Sequence, residues 1–309
     1  MKKIFIDGSV GTTGLRISER LEHRADIEII TLSEDKRKDP DARKEALNAS
    51  DVAFLCLPDP AAIEAVEMID NPNTVVIDAS TAHRTNEGWC YGFPELSDSI
   101  SSRLASSKRI AVPGCHASGF ISLVYPLIEA GFISPDIKLT CHSITGYSGG
   151  GKKMIAEYEE EGRNTLLDAP RQYGLTQQHK HLKEMKKITG LSYEPIFCPI
   201  VSDFYSGMTV TVPLFASDLR KGTIEDVKEL YREKYTGGIV KYVDSENLGG
   251  FISAHNLTKK DSMQITVCGN DDRILLIAMY DNLGKGASGA AVECLNYVLG
   301  IAPETGLEL

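Results

Sequence analysis

No stretch of this 309-residue chain approaches the ~18 consecutive apolar residues that a membrane-spanning helix needs. Its seven cysteines (56, 90, 115, 141, 198, 268, 294) include no CxxC pair, which argues against a zinc cluster and against a disulfide framework. Four of them, Cys56, Cys141, Cys268 and Cys294, lie in apolar strand or helix patterns and read as small buried hydrophobes. A basic excess is missing too: 33 Lys and Arg against 43 Asp and Glu give a formal net charge of −10. Nucleic-acid and anionic-membrane binders normally carry a basic face, so neither partner is expected. A few local Arg or Lys residues could still receive an anionic substrate. There is no internal repeat and no low-complexity segment. The start, MKKIFIDGSVG, has three apolar residues after its basic pair, too few for a signal-peptide core, and reads as a first strand. The expectation is a soluble protein of the cytoplasm.

What is present is globular. The chain is 42% hydrophobic and 25% charged, enough to bury one large core or two smaller ones. Residues 3–7, 27–32, 51–59, 74–80 and 109–116 read as strands, with helical spacing over 12–22 and 60–69. The nearly continuous apolar run DVAFLCLPD (51–59) suits a strand buried on both faces of a parallel sheet. This alternation predicts a Rossmann-type doubly wound α/β sheet. Beyond residue 115 the pattern changes. A helix is predicted over 116–131, and strands at 138–144, 195–202, 207–215, 263–268 and 273–280 lack a helix between every pair. A second, α+β domain is expected there, with the Ala-rich tail over 285–301 returning to the first.

Gly8, Gly11 and Gly14 follow the first strand and open a helix. Glycines in that place tighten the turn and bring main-chain N–H groups to a pyrophosphate. The spacing is GxxGxxG, not the GxGxxG fingerprint, so a Gly-rich turn without a ligand is the competing reading. Ser9, Thr12 and Thr13 are the polar members of this candidate cofactor loop. After the second strand, the run from Ser33 to Arg37 holds both an acid suited to the ribose hydroxyl of NAD and bases suited to the 2′-phosphate of NADP. We read it as NADP, with Ser33 and Arg37 as phosphate contacts; a solvated charge run is the alternative.

Cys115, in AVPGCHASG, falls after a strand and at the first turn of a helix. Helix-terminal amides and the dipole there favour the thiolate, the nucleophilic form. Around it, GSVGTTG, FLCLPD, DASTAHR, YGFPEL, VPGCHASG, SGGGK, HKHLKE and DNLGKGASGAAV occur in one order along the chain. In that order and over essentially the full length, the chain resembles the short form of the N-acetyl-γ-glutamyl-phosphate reductases, in the semialdehyde dehydrogenase family. The resemblance implies a Cys115 thioester formed from an acyl phosphate and reduced by NADPH to a semialdehyde, a step of arginine biosynthesis. It implies His179, first histidine of HKHLKE, as the acid–base. His181 and Glu184 would orient it or touch substrate, and His179 and His181, two apart on a strand-like segment, would share a face.

Other candidates follow from the anionic substrate. Arg84 could clamp its carboxylate or phosphate, with a surface salt bridge as the alternative. Gly149 and Lys152 in SGGGK could form an anion nest. Asn282 could bond the nicotinamide carboxamide or simply cap a helix. His116 sits beside the nucleophile and could tune it; His23, His83, His142 and His255 read as structural. The expected domains are 1–114 for NADP, joined by about 284–309, and 115–283 for catalysis and assembly into a homo-oligomer, dimer or tetramer. No metal is implied. Two alternatives stay open: a semialdehyde dehydrogenase for an aspartyl or aminoadipyl phosphate, and a non-catalytic NADP-binding sensor.

Overall fold

The structure, a computed structural model, describes residues 1–309, the side chain of Asn247 excepted. The chain divides into two compact units, Met1–Pro113 with Ala287–Leu307, and Gly114–Gly286 with Glu308–Leu309.

The first unit is built on six parallel strands: β1 (Lys2–Asp7), β2 (Ile27–Ile30), β3 (Val52–Leu55), β4 (Val75–Asp78), β5 (Cys90–Tyr91) and β6 (Arg109–Ala111), ordered β2-β1-β3-β4-β6-β5. Every residue of β3 is buried, as its unbroken apolar run requires. Successive side chains of β1 split between two cores. Ile4 and Ile6 pack with α1 (Thr12–Leu21), α4 (Asp98–Ser106) and α9 (Gly289–Leu299) through Ile17, Leu21, Leu104 and Leu295. Phe5 faces Leu47 and Ala62 of α2 (Pro40–Ala49) and α3 (Asp59–Glu67). Asp39 caps α2 through the Ala42 N–H, with Pro40 at the first helical position. The chain order reverses between β1 and β3, the place where open α/β sheets bind ligands.

The second unit is a mixed seven-stranded sheet. Its strands are β7 (Thr140–Gly146), β8 (Arg171–Gln172), β9 (Ile196–Ser202), β10 (Met208–Phe215), β11 (Val240–Tyr242), β12 (Met263–Gly269) and β13 (Arg273–Tyr280), ordered β11-β12-β13-β10-β7-β9-β8. The long apolar helix α5 (Cys115–Glu129) lies against β10 and β13. Pro126 removes one N–H inside α5, and the orphaned Ser122 carbonyl is taken by the hydroxyl of Tyr235 (2.7 Å), with Tyr231 on Leu123 next to it. Tyr231 belongs to α8 (Ile224–Lys234), which a Thr223–Asp226 capping box starts. Two further helices complete the unit: α6 (Gly151–Glu159), and α7 (His181–Thr189), which left-handed Gly190 ends. The other face of this sheet leaves Ile144, Ile196, Phe215 and Leu275 exposed. Among the described residues, no helix is long and apolar enough to cross a membrane.

Candidate active site

Each unit carries its own candidate site. In the first, Gly8 ends β1 at φ +85°, and a Cβ on it would lie 2.3 Å from the Cys56 carbonyl. A Cβ on Gly14 would lie 2.4 Å from the Gly8 carbonyl. Both therefore have to be glycine for α1 to start so close beneath the loop. Gly11 is the N-cap of α1 and Thr12 its first residue; no side chain caps this end. A helix start left uncapped by its own residues, behind glycines, is a cradle for phosphate.

The loop opens on a cavity of about 730 Å³. Gly8, Ser9 and Val10 form one wall, and Ile29 to Leu32, Glu34, Arg37 and Lys38 another. Its size and mostly apolar lining suit a nucleoside, and its basic rim suits phosphate. A dinucleotide therefore fits the residues present. Ser33 lies in the same loop, its carbonyl accepting from the Lys36 and Arg37 N–H groups. Arg43, which sequence reasoning passed over, also lines the cavity and donates from Nε and Nη2 to Asp7 at 3.1 and 2.9 Å. Burial pushes the Asp7 carboxyl up, against the pull of Arg43.

In the second unit Cys115 is the first residue of α5, half-buried, with Gly114 as N-cap. The first turn is unusual. The Gly119 N–H donates to the Tyr280 hydroxyl (3.1 Å), which donates to the Cys115 carbonyl (2.5 Å). A phenol thus bridges the two main-chain groups that face each other across the first turn. Gly119 admits it, since a Cβ there would lie 2.6 Å from that hydroxyl. Glu184 of α7, buried, accepts from the Gly114 N–H at 2.7 Å and fixes the turn from the other side.

The imidazoles gather around His116, the residue next to Cys115. His116 is buried, with Nδ1 2.6 Å from Ser143 Oγ and Nε2 2.6 Å from the Tyr173 hydroxyl. His179 and His181 rings lie 5.8 and 5.6 Å from it, and 4.7 Å from each other. Burial, with the neighbouring His179, drops His116 to about 3. Burial, with Lys180 beside it, drops His179 to about 4. Both rings are neutral at pH 7. The His181 N–H donates to His179 Nδ1 over a long 3.3 Å.

Several expectations need correction. The HKHLKE segment is not strand-like: His179 lies in a turn and His181 begins α7, so His181 and Glu184, three apart, share a helix face. The SGGGK glycines make a short 3-10 turn over 147–150 that leads into α6, and Lys152 is exposed on that helix. Gly149 lies beside Asn282, whose Nδ2 would be 3.5 Å from its Cβ. Asn282 is not a helix cap. It is buried, with Oδ1 accepting from the Gly207 N–H (2.9 Å) and Nδ2 donating to Ser148 Oγ (2.9 Å), so its amide braces the unit internally. Arg84 is not on the surface. It is buried in the first unit, donating to the main-chain carbonyls of Val112 (2.8 Å) and Ala79 (3.1 Å), which ties strand ends together. His83 donates to buried Asp78 (2.6 Å) and stacks on Trp89 at 4.0 Å.

Sequence reasoning passed over Tyr173, Ser143, Tyr280 and Asp281. Asp281 Oδ2 accepts from Ser206 Oγ and the Lys259 N–H, and Oδ1 from the Leu283 N–H, which shapes the loop before a π-helical turn over Gly284–Ser288. The neighbouring Lys285 is fully buried. A lysine inside an Ala- and Gly-rich run was the available signal; single tyrosines and serines in strands give none.

The family model described as "Semialdehyde dehydrogenase, NAD binding domain" matches residues 3–102, and "Semialdehyde dehydrogenase, dimerisation domain" matches residues 115–282. The chain is 46% identical over 305 residues to a protein of Chelativorans sp. named N-acetyl-gamma-glutamyl-phosphate reductase, covering 96% of this chain and 98% of that one. It is 42% identical over 318 residues to N-acetyl-gamma-glutamyl-phosphate reductase 2 of Nostoc sp., covering 99% of each. Among solved structures it is similar to aspartate semialdehyde dehydrogenase II of Vibrio cholerae, at TM-score 0.72 and 16% identity over 97% of this chain and 98% of that one. That last likeness concerns the fold alone.

Proposed function

The chain belongs to the semialdehyde dehydrogenase family, and we propose that it is an NADPH-dependent reductase of N-acetyl-γ-glutamyl phosphate. The product would be N-acetylglutamate semialdehyde, an intermediate of arginine biosynthesis, with phosphate released. The observation that carries the chemistry is Cys115 at the opening of α5, with the neutral imidazole of His179 gathered in the same unit.

Cys115 sulfur attacks the acyl carbon, phosphate leaves, and a thioester remains on the enzyme. A thioester lacks the resonance that makes a carboxylate resist reduction, so the covalent step divides a hard reaction in two. When bound, the nicotinamide supplies the hydride that reduces this thioester. His179 takes the thiol proton during attack and gives it to the departing phosphate. Glu184 holds the Gly114 turn so that the sulfur keeps its place at the helix start. His181, on the same face of α7 as Glu184, would orient His179 or touch the acyl group.

Gly8, Ser9, Gly11, Thr12, Thr13 and Gly14 would hold the diphosphate. Arg37 and Lys38 on the cavity rim support a 2′-phosphate and hence NADP over NAD, while Glu34 on the same rim pulls the other way. The exposed apolar face carrying Ile144, Ile196, Phe215 and Leu275 supports assembly of a homo-oligomer through the second sheet. Seven free cysteines accord with a reducing cytoplasm.

The test runs the reaction backwards, with N-acetylglutamate semialdehyde, NADP⁺ and phosphate, before and after thiol alkylation. Phosphate-dependent NADPH formation that vanishes on alkylation of Cys115 is expected. Activity with aspartate semialdehyde alone would sink the substrate assignment, and an unchanged rate after alkylation would sink the mechanism.

A further inference from the structure

We propose that the Tyr173 hydroxyl is a hydrogen-bond donor to the oxyanion of the reaction, aimed by a relay that runs from Ser143 through His116. The inference rests on the acyl-phosphate reductase reading of Cys115.

The relay has a direction that its partners fix. Ser143 lies on β7, His116 on α5, and Tyr173 directly after β8, where its own N–H donates to the Pro199 carbonyl. Ser143 is completely buried, and among the described residues the one hydrogen-bond neighbour of its hydroxyl is His116 Nδ1, at 2.6 Å. Leaving a buried hydroxyl hydrogen unmade is costly, so Ser143 donates and Nδ1 accepts. His116, kept neutral by its burial, has one ring proton, which must then sit on Nε2. Nε2–H donates to the Tyr173 oxygen at 2.6 Å. The phenol's own hydrogen is therefore not spent on His116. No other side chain or carbonyl among the described residues accepts it.

Tyr173 lies within electrostatic reach of Cys115, and burial keeps the phenol protonated. Its hydrogen is thus uncommitted, on a phenol whose oxygen stands 2.6 Å from the ring of His116, the residue next to Cys115. When the thiolate attacks, the C–S bond forms and the carbonyl electrons move onto oxygen; they return as the C–O bond to phosphate breaks. Reduction of the thioester creates a second C–O⁻, which collapses to the aldehyde and expels the thiolate. A neutral donor aimed at that oxygen stabilises both steps without transferring a proton. Tyr173 would be the catalytic residue, with Ser143 and His116 positioning it.

Tyr173→Phe in the full chain tests this, assayed with N-acetylglutamate semialdehyde, NADP⁺ and phosphate. The expected result is a fall of about 10²–10³-fold in kcat, the loss typical of one oxyanion donor, with the KM for the semialdehyde held. The rate of Cys115 alkylation by iodoacetamide should not change. A wild-type enzyme that fails to turn over this semialdehyde overturns the functional reading and this inference with it. A working wild type with an unimpaired variant overturns the inference alone. So does a variant whose alkylation rate falls in step with kcat, since Tyr173 would then act on the thiol. Ser143→Ala supplies an independent readout. It frees Nδ1, lets His116 change tautomer and turns the phenol hydrogen inward, so kcat should fall about tenfold, as for one net hydrogen bond, and Ser143→Thr should restore it. Full activity in Ser143→Ala overturns the relay.

Discussion

Two helix starts in this protein depend on a missing Cβ, and they use the space differently. At α1, Gly8 and Gly14 let the main chain fold back on itself, so that a helix end with no side-chain cap follows the loop that lines the cavity. At α5, Gly119 lets in a side chain, and the Tyr280 hydroxyl bridges the main-chain N–H of Gly119 and carbonyl of Cys115. The first arrangement leaves donors open for a ligand. The second ties the first turn to β13 and so fixes the residue that carries the sulfur. Glycine at a helix start therefore means different things according to whether the adjacent atoms are the chain's own carbonyls or another element's side chain.

The comparison breaks most severely at the sulfur. Cys115→Ser should lower kcat by at least ~10⁴-fold in a steady-state assay, while NADPH affinity by fluorescence titration stays as it was. A comparable loss of NADPH affinity would tie the two helix starts together. His179→Asn comes next, with an expected loss of about 10²–10⁴-fold in kcat and little change in thiol alkylation after prolonged incubation.

The glycines separate the two devices. Gly14→Ala and Gly119→Ala each force a Cβ into contacts under 3 Å, at a cost of about 1–3 kcal/mol. Gly14→Ala should raise the Kd for NADPH and spare alkylation of Cys115. Gly119→Ala should lower kcat and leave that Kd alone. Identical effects of the two would erase the distinction.

A smaller effect lies in acid. His116 titrates near 3 in the fold, against its ordinary value of 6.5. As the pH falls below 6.5 the unfolded chain takes up a proton that the folded chain refuses, so stability is lost toward pH 3 at a slope approaching ~1.4 kcal/mol per pH unit. Denaturant midpoints measured from pH 7 to 4 should show this slope joined by a similar one from His179, which burial drops to about 4, and His116→Asn should remove about half of the total. The mildest change is expected at the cavity rim. Arg37→Ala should weaken NADPH about tenfold and NADH hardly at all; equal weakening would remove the argument for a 2′-phosphate contact.

Much of the fold was legible because its signals are local. The unbroken run of β3 and the alternating cores around β1 follow from residue polarity alone. The short strands β5, β8 and β11 were not read, since two or three residues carry no period. The site divides along the same line. Cys115 announces itself by standing between Gly114 and His116 at a helix start. Tyr173 and Ser143 do not, because their significance comes from sheet pairing that brings positions 27 and 57 residues away to one imidazole. Asn282 and Arg84 looked available for ligands in sequence, yet the fold spends their donors on Ser148, Val112 and Ala79. A polar residue's type is visible in a sequence, whereas its hydrogen-bond partners are settled by packing.

The stack of His83 on Trp89 gives the first unit an optical label of its own. Trp89 is the chain's single tryptophan, so indole emission reports that unit and nothing else. Its ring lies nearly parallel to an imidazole that Asp78 holds by a 2.6 Å bond, so separating the rings during unfolding should change both intensity and wavelength. Melting of the nucleotide-binding unit can thus be followed by fluorescence while circular dichroism follows the whole chain. Any gap between the two transitions would measure how far the halves unfold independently.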